Sequence, residues 1–279
     1  MPEGPEIKRV ADKLAKTVLG EPLETVWFAH PDAQRHAAAL TNSRVISVKT
    51  RGKALLTAFD CGLTVYSHNQ LYGRWYFVAR DRHPNTRRSL RWQLETENRA
   101  ALLYSASEIR VLESDRLQEH PFLARAGVDV LSDDPTPQQL FKHFRQPRFA
   151  RRSLAALMLD QHFVAGTGNY LRSEILFCAG LPPDCRLADL SDAQVRKLAK
   201  QTLLITQRSY ETGGITNDPK IAAKLKKQGF KRAALRHFVF ARAELPCHRC
   251  GTLVRRIEAS GRRLYYCPVC QPSQAVDRA

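Results

Sequence analysis

The apolar positions change period twice along the chain. From Pro5 to Gly20, Ile7, Val10, Ala11, Leu14 and Val18 recur at helical spacing, with Lys8, Arg9, Asp12, Lys13 and Lys16 on the other side, which predicts a surface helix closed by Gly20. The period then shortens to two. Strands are predicted at 23–29, 45–50, 54–59, 63–68, 74–78, 90–96 and 100–105, parted by turn-like pieces such as Asp60-Cys61-Gly62 and the polar run 82–88. Strands this close together, without helices between them, indicate an antiparallel sandwich or barrel. At 131–139 the texture changes again: Ser132, Asp133 and Asp134 beside two prolines predict a boundary and the N-cap of a helix. Helical periods follow at 141–144, 153–159, 169–179 and 192–210. The expected fold is α+β and multidomain, with an N-terminal antiparallel β-sandwich flanked by helices at 1–131, a helical domain at 132–240, a small module at 241–273 and a disordered tail at 274–279.

Length and charge narrow the class. At 279 residues and 43% hydrophobic, the chain is long enough to bury substantial cores. No stretch approaches the roughly 20 apolar residues of a membrane span, and Glu3, Glu6, Lys8 and Arg9 stand where a signal peptide needs an apolar run. A cytosolic protein is expected. The 44 Lys and Arg against 27 Asp and Glu give a net charge of +17, which points to a polyanionic partner. No basic amphipathic helix has the bulky apolar face that lies in a lipid interface. Nucleic acid is therefore favoured, since each neutralised phosphate releases condensed counterions. The charge is densest between Asp218 and Arg242, where Lys220, Lys224, Lys226, Lys227, Lys231, Arg232, Arg236 and Arg242 meet no acid. Part of this segment is expected to be helical and part a mobile loop.

Seven cysteines, an odd number with four bunched near the C-terminus, argue against a disulfide framework. Cys247-His-Arg-Cys250 and Cys267-Pro-Val-Cys270 stand sixteen residues apart, which is the pattern of two knuckles giving four thiolates to one tetrahedral Zn2+. Four thiolates leave no open position, so the metal is expected to be structural. Arg262 and Arg263 fall at the hairpin tip between the knuckles, where a finger holds cations against phosphates.

Three further motifs are weaker taken singly. Gly166 and Gly168 in AGTGN, just before a helix beginning near Asn169, make either a phosphate-accepting helix start or an ordinary helix–helix turn with glycine C-caps. Lys53 in RGKALL is either a cation held at a strand edge over a groove or a solvated surface lysine. Gln70, Leu71 and Tyr72 in HNQLYG are either a turn whose apolar residues pack into the core or an exposed wedge for a base stack. At the N-terminus, Pro2 precedes Glu3 and Glu6. Once Met1 is removed, an N-terminal amine, with a reference pKa near 8, has a neutral fraction able to attack an aldehyde-level carbon. A neighbouring carboxyl can move the protons.

MPEGPE, RGKALL, HNQLYG, LDQ with AGTGNYLRSEIL, and CHRC with CPVC resemble, in this order, the formamidopyrimidine-DNA glycosylase family, and within it the endonuclease VIII branch. The resemblance runs from residue 2 to about residue 271 and implies that the helical domain is a helix-two-turn-helix DNA-binding domain. It implies Pro2 as the Schiff-base nucleophile, Glu3 as general acid and Glu6 beside them in support. Lys53, Asn169 and Arg262, with Arg263 nearby, would grip phosphates, and Gln70, Leu71 and Tyr72 would fill the space left by a flipped base. Cys247, Cys250, Cys267 and Cys270 would hold one structural Zn2+. The implied activity is excision of oxidised pyrimidines from damaged duplex DNA followed by β,δ-elimination, by a monomer. Preference for oxidised purines, or a non-catalytic zinc-ribbon DNA-binding protein, are the competing readings. The segment 209–236 covers the region where the family's damaged-base loop lies, but its lysine-rich KIAAKLKKQGFKR does not align with the family's pattern, and its base contacts stay unassigned.

Overall fold

The computed structural model describes residues 2–273; Met1 and the tail 274–279, expected to be disordered, lie outside the described residues. Two compact units divide the chain between Ala126 and Gly127.

In the first unit α1 (Gly4–Val18) buries Ile7, Ala11, Leu14 and Val18, the face its periodicity predicts. Eight strands follow, β1 (Thr25–Phe28), β2 (Val45–Arg51), β3 (Ala54–Phe59), β4 (Leu63–His68), β5 (Arg74–Ala79), β6 (Leu90–Glu95), β7 (Arg99–Tyr104) and β8 (Glu108–Glu113), with short helices α2 (Pro31–Gln34) and α3 (Ala37–Thr41) after β1. They form two four-stranded antiparallel sheets, β2-β3-β4-β8 and β1-β6-β7-β5. One buried cluster joins the sheets: Val45, Leu55, Phe59 and Val65 from the first meet Phe28, Trp75, Trp92 and Leu103 from the second, and Leu14 and Val18 of α1 close the side. The edge of Trp75 meets Trp92 with ring centroids 5.2 Å apart, a geometry that aligns a positive rim with a negative face. The result is the expected sandwich. β8, α2 and α3 are additions to the sequence expectation.

The second unit holds β9 (Val128–Asp129), α4 (Pro137–Phe144), α5 (Leu154–Leu157), β10 (Val164–Ala165), α6 (Asn169–Ala179), α7 (Asp192–Thr212), α8 (Pro219–Lys227), α9 (Arg232–Leu235) and the antiparallel ribbon β11 (Arg255–Ala259) with β12 (Arg262–Tyr266). The N-cap of α4 is Thr136, whose hydroxyl accepts from the Gln139 N–H at 3.2 Å, with Pro137 at the first helical position. This corrects the expectation that Ser132 to Asp134 supply the cap: Asp133 instead accepts from the Asp129 N–H at 2.9 Å. α6 lies at the centre, with every residue from Tyr170 to Ala179 buried. Its core is continuous with that of the ribbon, through Val254, Leu264, Tyr265, Cys247 and Cys267.

Candidate functional site

Pro2 lies directly before α1, and Glu3 is the helix N-cap, 4% exposed. The Glu3 N–H donates to Glu6 Oε2 at 3.0 Å, one half of a capping box shared by the two residues. A glutamate three residues into a helix suits this role because it satisfies an orphan N–H and complements the positive helix end. Both carboxylates are thereby held within one turn of helix, next in the chain to Pro2.

Lys53 owes its position to the β2–β3 hairpin. Arg51 pairs with Ala54, which leaves Gly52 and Lys53 as a two-residue turn. Gly52 has φ +60°, the left-handed first position that a type II′ turn reserves for glycine. Lys53 is only 9% exposed, so it is not the solvated surface lysine of the alternative reading. Its charge reaches His68, whose pKa is lowered first by burial and further by Lys53, with Glu108 opposing.

The 69–73 loop is stiff. The Gly73 N–H donates to the Asn69 carbonyl at 2.7 Å, and a Cβ on residue 73 would stand 2.4 Å from that same oxygen, so only glycine fits. Gln70 sits at φ +49°, its N–H donating to His68 Nδ1 at 3.1 Å and its side-chain carbonyl accepting from the Ser107 hydroxyl. On this frame Leu71 and Tyr72 are 58% and 66% exposed. They do not pack into the core. Two adjacent apolar side chains presented to solvent by a constrained turn are suited to wedging between stacked bases.

In the second unit AGTGN is not a plain helix–helix turn. Val164 and Ala165 pair in parallel with Val128 and Asp129, Gly166 takes φ +93°, and Gly168 caps the start of α6 instead of the end of a preceding helix. Asn169, the first helical residue, is half-buried, with its Oδ1 enclosed and, among the described residues, without a hydrogen-bond partner.

The next turn of α6 carries residues to which the sequence reading gave no role. Arg172, Ser173 and Glu174 are each 0% exposed. Arg172 Nη1 donates to the carbonyls of Ala155 and Ala259 at 3.0 and 3.1 Å, and Nη2 to those of Arg262 and Arg263 at 3.2 and 3.1 Å. A guanidinium suits this task because its rigid fork serves several acceptors at once. Ser173 accepts from the Tyr265 N–H at 3.2 Å. The Glu174 carboxylate accepts from the Thr216 hydroxyl at 2.6 Å and from the N–H groups of Phe238, Val239 and Phe240 at 2.8 to 2.9 Å. The available signal was three consecutive polar residues inside the otherwise apolar YLRSEILF.

In the finger, the four Sγ atoms of Cys247, Cys250, Cys267 and Cys270 lie within 4.8 Å of one another. Two separations are 3.9 Å (Cys247 to Cys270) and 3.4 Å (Cys250 to Cys267), close to the roughly 3.8 Å edge of a tetrahedron with Zn–S bonds of about 2.3 Å. The donor set fits one structural Zn2+. Gln271 ties the last knuckle to the helical core, its Nε2 donating to the Leu181 carbonyl and its Oε1 accepting from the Cys267 N–H, at 2.9 and 3.0 Å. The ribbon turns at Ser260 and Gly261, with φ +54° and +68°, as a type I′ turn requires. Arg262 follows the turn, exposed, and Arg263 lies 3.9 Å from Glu258.

Pro2, Glu3, Glu6, Lys53, Gln70, Leu71 and Tyr72 thus belong to the first unit, and Asn169, Arg262, Arg263 and the four cysteines to the second. Residues 1–108 match the formamidopyrimidine-DNA glycosylase N-terminal domain, 126–220 the formamidopyrimidine-DNA glycosylase H2TH domain, and 244–272 a zinc finger found in FPG and IleRS. The chain is 46% identical over 271 residues to Endonuclease 8 of an Escherichia coli strain, covering 97% of this chain and all of that one. It is 46% identical over 272 residues, with the same coverage, to Endonuclease 8 of Pectobacterium carotovorum. Its fold is similar to that of Lactococcus lactis formamidopyrimidine-DNA glycosylase bound to DNA containing an AP site, with TM-score 0.77, 20% identity, and 97% and 99% of the two chains covered. A complex of that glycosylase with DNA containing an oxidised pyrimidine gives TM-score 0.78 at 18% identity, covering 97% of this chain and all of the other. With its three domain types in order and near-complete coverage of its relatives, the chain belongs to the formamidopyrimidine-DNA glycosylase family of DNA glycosylase/AP lyases, alongside the endonuclease VIII proteins.

Proposed function

We propose that the protein is a base excision repair enzyme that removes oxidised pyrimidines from duplex DNA through a Schiff base on Pro2. The observation that carries this reading is Pro2 standing next in the chain to buried Glu3, the N-cap of α1, with Glu6 tied to it across the first turn. The Pro2 nitrogen adds at the deoxyribose C1′, the bond to the damaged base breaks, and Glu3 protonates the sugar oxygen as the ring opens to an iminium. Glu6 supports Glu3. Loss of a C2′ proton then expels the 3′ phosphate, and a second elimination through the same intermediate expels the 5′ phosphate. Lys53, Asn169 and Arg262, with Arg263, hold phosphates beside the lesion, while Gln70, Leu71 and Tyr72 fill the gap left by the extruded base. The working modules are 1–131, 132–240 and 241–273, and one flipped base needs only one copy, so the enzyme acts as a monomer in the bacterial cytosol. Among the described residues no helix is long and apolar enough to cross a membrane.

Borohydride trapping on a duplex with an abasic site tests the mechanism. The native chain crosslinks, while Pro2→Gly and a form retaining Met1 bind the duplex without crosslinking; equal trapping by all three overturns the role of Pro2. Single-turnover excision from matched duplexes tests the substrate: thymine glycol is released faster than 8-oxoguanine, and the reverse order assigns the enzyme to oxidised purines.

A further inference from the structure

The excursion from Asp218 to Leu235 is closed at its base. The Thr216 and Asn217 N–H groups both donate to the Arg236 carbonyl, at 2.8 and 3.0 Å, and Asn217 Nδ2 donates to the Leu235 carbonyl at 3.3 Å. Thr216 is in turn held by Glu174, and its Oγ1 lies 2.9 Å from His237 Nδ1. From this mount α8 projects with a complete start: Asp218 accepts from the Lys220 N–H at 2.8 Å, and Pro219 is the first helical residue.

α8 gives the fold little in return. It buries none of its nine residues, and a helix this short is marginal by itself. Half-buried Ile221 and Leu225 turn one side toward the unit, with Ile221 packed on the core. Lys220, Lys224 and Lys227 recur at i, i+4 and i+7 and form an exposed stripe. Like charges at this spacing destabilise a helix. Among the described residues none of the three is ion-paired, and no acid intervenes before Glu244. An unneutralised stripe on a closed mount is complementary to a regular array of anions. Seven residues of helix rise about 10 Å, the axial length of roughly three phosphates along one DNA strand.

We propose that α8 is a sequence-independent grip on the backbone of duplex DNA, adding three phosphate contacts through Lys220, Lys224 and Lys227 to those beside the lesion. It raises affinity for undamaged DNA, the state from which a lesion is sought, and takes no part in the chemistry. This rests on the reading of the protein as a DNA-repair enzyme.

The test uses the full, zinc-loaded chain and a triple Lys220→Gln, Lys224→Gln, Lys227→Gln variant, with zinc content and circular dichroism confirming equal folding. Anisotropy titrations of an undamaged duplex between about 50 and 300 mM salt should show the slope of log K against log salt reduced by about 2.7, at 0.9 per phosphate. Affinity near 0.1 M salt should fall by one to two orders of magnitude. A triple lysine-to-arginine variant should restore the slope, because it keeps the charge while changing the side chains. Single-turnover excision at saturating enzyme should stay within twofold of native. A slope within 0.5 of native overturns the proposal, as does a slope unchanged while saturated excision collapses. A stripe that binds polyglutamate while leaving the duplex slope unaltered likewise overturns it, assigning an acidic protein partner. Failure of the native chain to crosslink in the borohydride trap counts against the repair mechanism alone, since the slopes are measured without it.

Discussion

Two hairpin tips carry cations, and they are built in opposite ways. The Gly52-Lys53 tip ends strands of seven and six residues inside a four-stranded sheet, and its lysine is enclosed. The Ser260-Gly261 tip ends a two-stranded ribbon of five residues a side, and Arg262 beyond it is exposed. A lone two-stranded ribbon is marginal in water. Here it is supported by four thiols and by Arg172, which donates to three carbonyls around the turn, those of Ala259, Arg262 and Arg263. One tip is placed by its sheet and the other by a metal and a buried guanidinium, so the two respond to different insults.

Removing zinc breaks the symmetry most. Structural Zn2+ contributes on the order of 10 kcal/mol in small fingers. Chelation, or Cys247→Ser, is therefore expected to release the amides of β11 and β12 to rapid hydrogen exchange while those of β2 and β3 stay protected. Protected ribbon amides in a zinc-free sample would contradict the assigned support. Acid acts next. His237, beside Glu174 and Arg236, with the Tyr170 ring tilted against it at 5.5 Å and the Phe240 ring edge-on at 5.3 Å, has its pKa lowered by burial to about 4. Between the unfolded value near 6.5 and about 4 the unfolded chain binds the extra proton, so stability falls as the pH is lowered through that window. The loss reaches about 3 kcal/mol by pH 4. Urea midpoints measured from pH 7 to pH 4 should show this drop, reduced in His237→Gln. His68, beside Lys53, adds an effect of the same sign on the first unit.

The smallest effect sharpens the contrast. Gly52 and Gly261 stand at φ +60° and +68°, so alanine at either position costs about 1 to 2 kcal/mol of backbone strain. A Cβ on residue 261 meets nothing within 4 Å, so there the cost is conformational alone. Both variants should lower the melting temperature by a few degrees, but only Gly261→Ala should speed zinc release to a chromogenic chelator. Equal release rates would mean that the ribbon turn and the metal are uncoupled.

Much of this was legible in the sequence because punctuation and period agreed. The bounds of β3, β4 and α6 match the expected 54–59, 63–68 and 169–179. Elsewhere local signals failed for identifiable reasons. β8 follows Ser105, which is left-handed at φ +55°, and it is an edge strand whose Ile109 and Val111 alternate with charges. That alternation was the available signal. Arg172 and Glu174 were hidden because a charged residue within a helical period reads as outward-facing, whereas α6 is enclosed on every side. Their partners lie 17 to 91 residues along the chain, beyond any window of periodicity. Lys53 also depended on tertiary context, since its enclosure comes from neighbours that the RGKALL motif does not contain.

The closed base under α8 has a meaning for how such a chain can change. Thr216, Asn217 and Arg236 join the two limbs whatever runs between them, and Glu174 locks that junction to the central helix. Doubling a flexible loop costs only about 0.6 kcal/mol in closure entropy. Segments of different length and charge can therefore be exchanged at this socket while the Pro2–Glu6 corner keeps its sequence, making it the natural place to graft a new recognition module onto the chain.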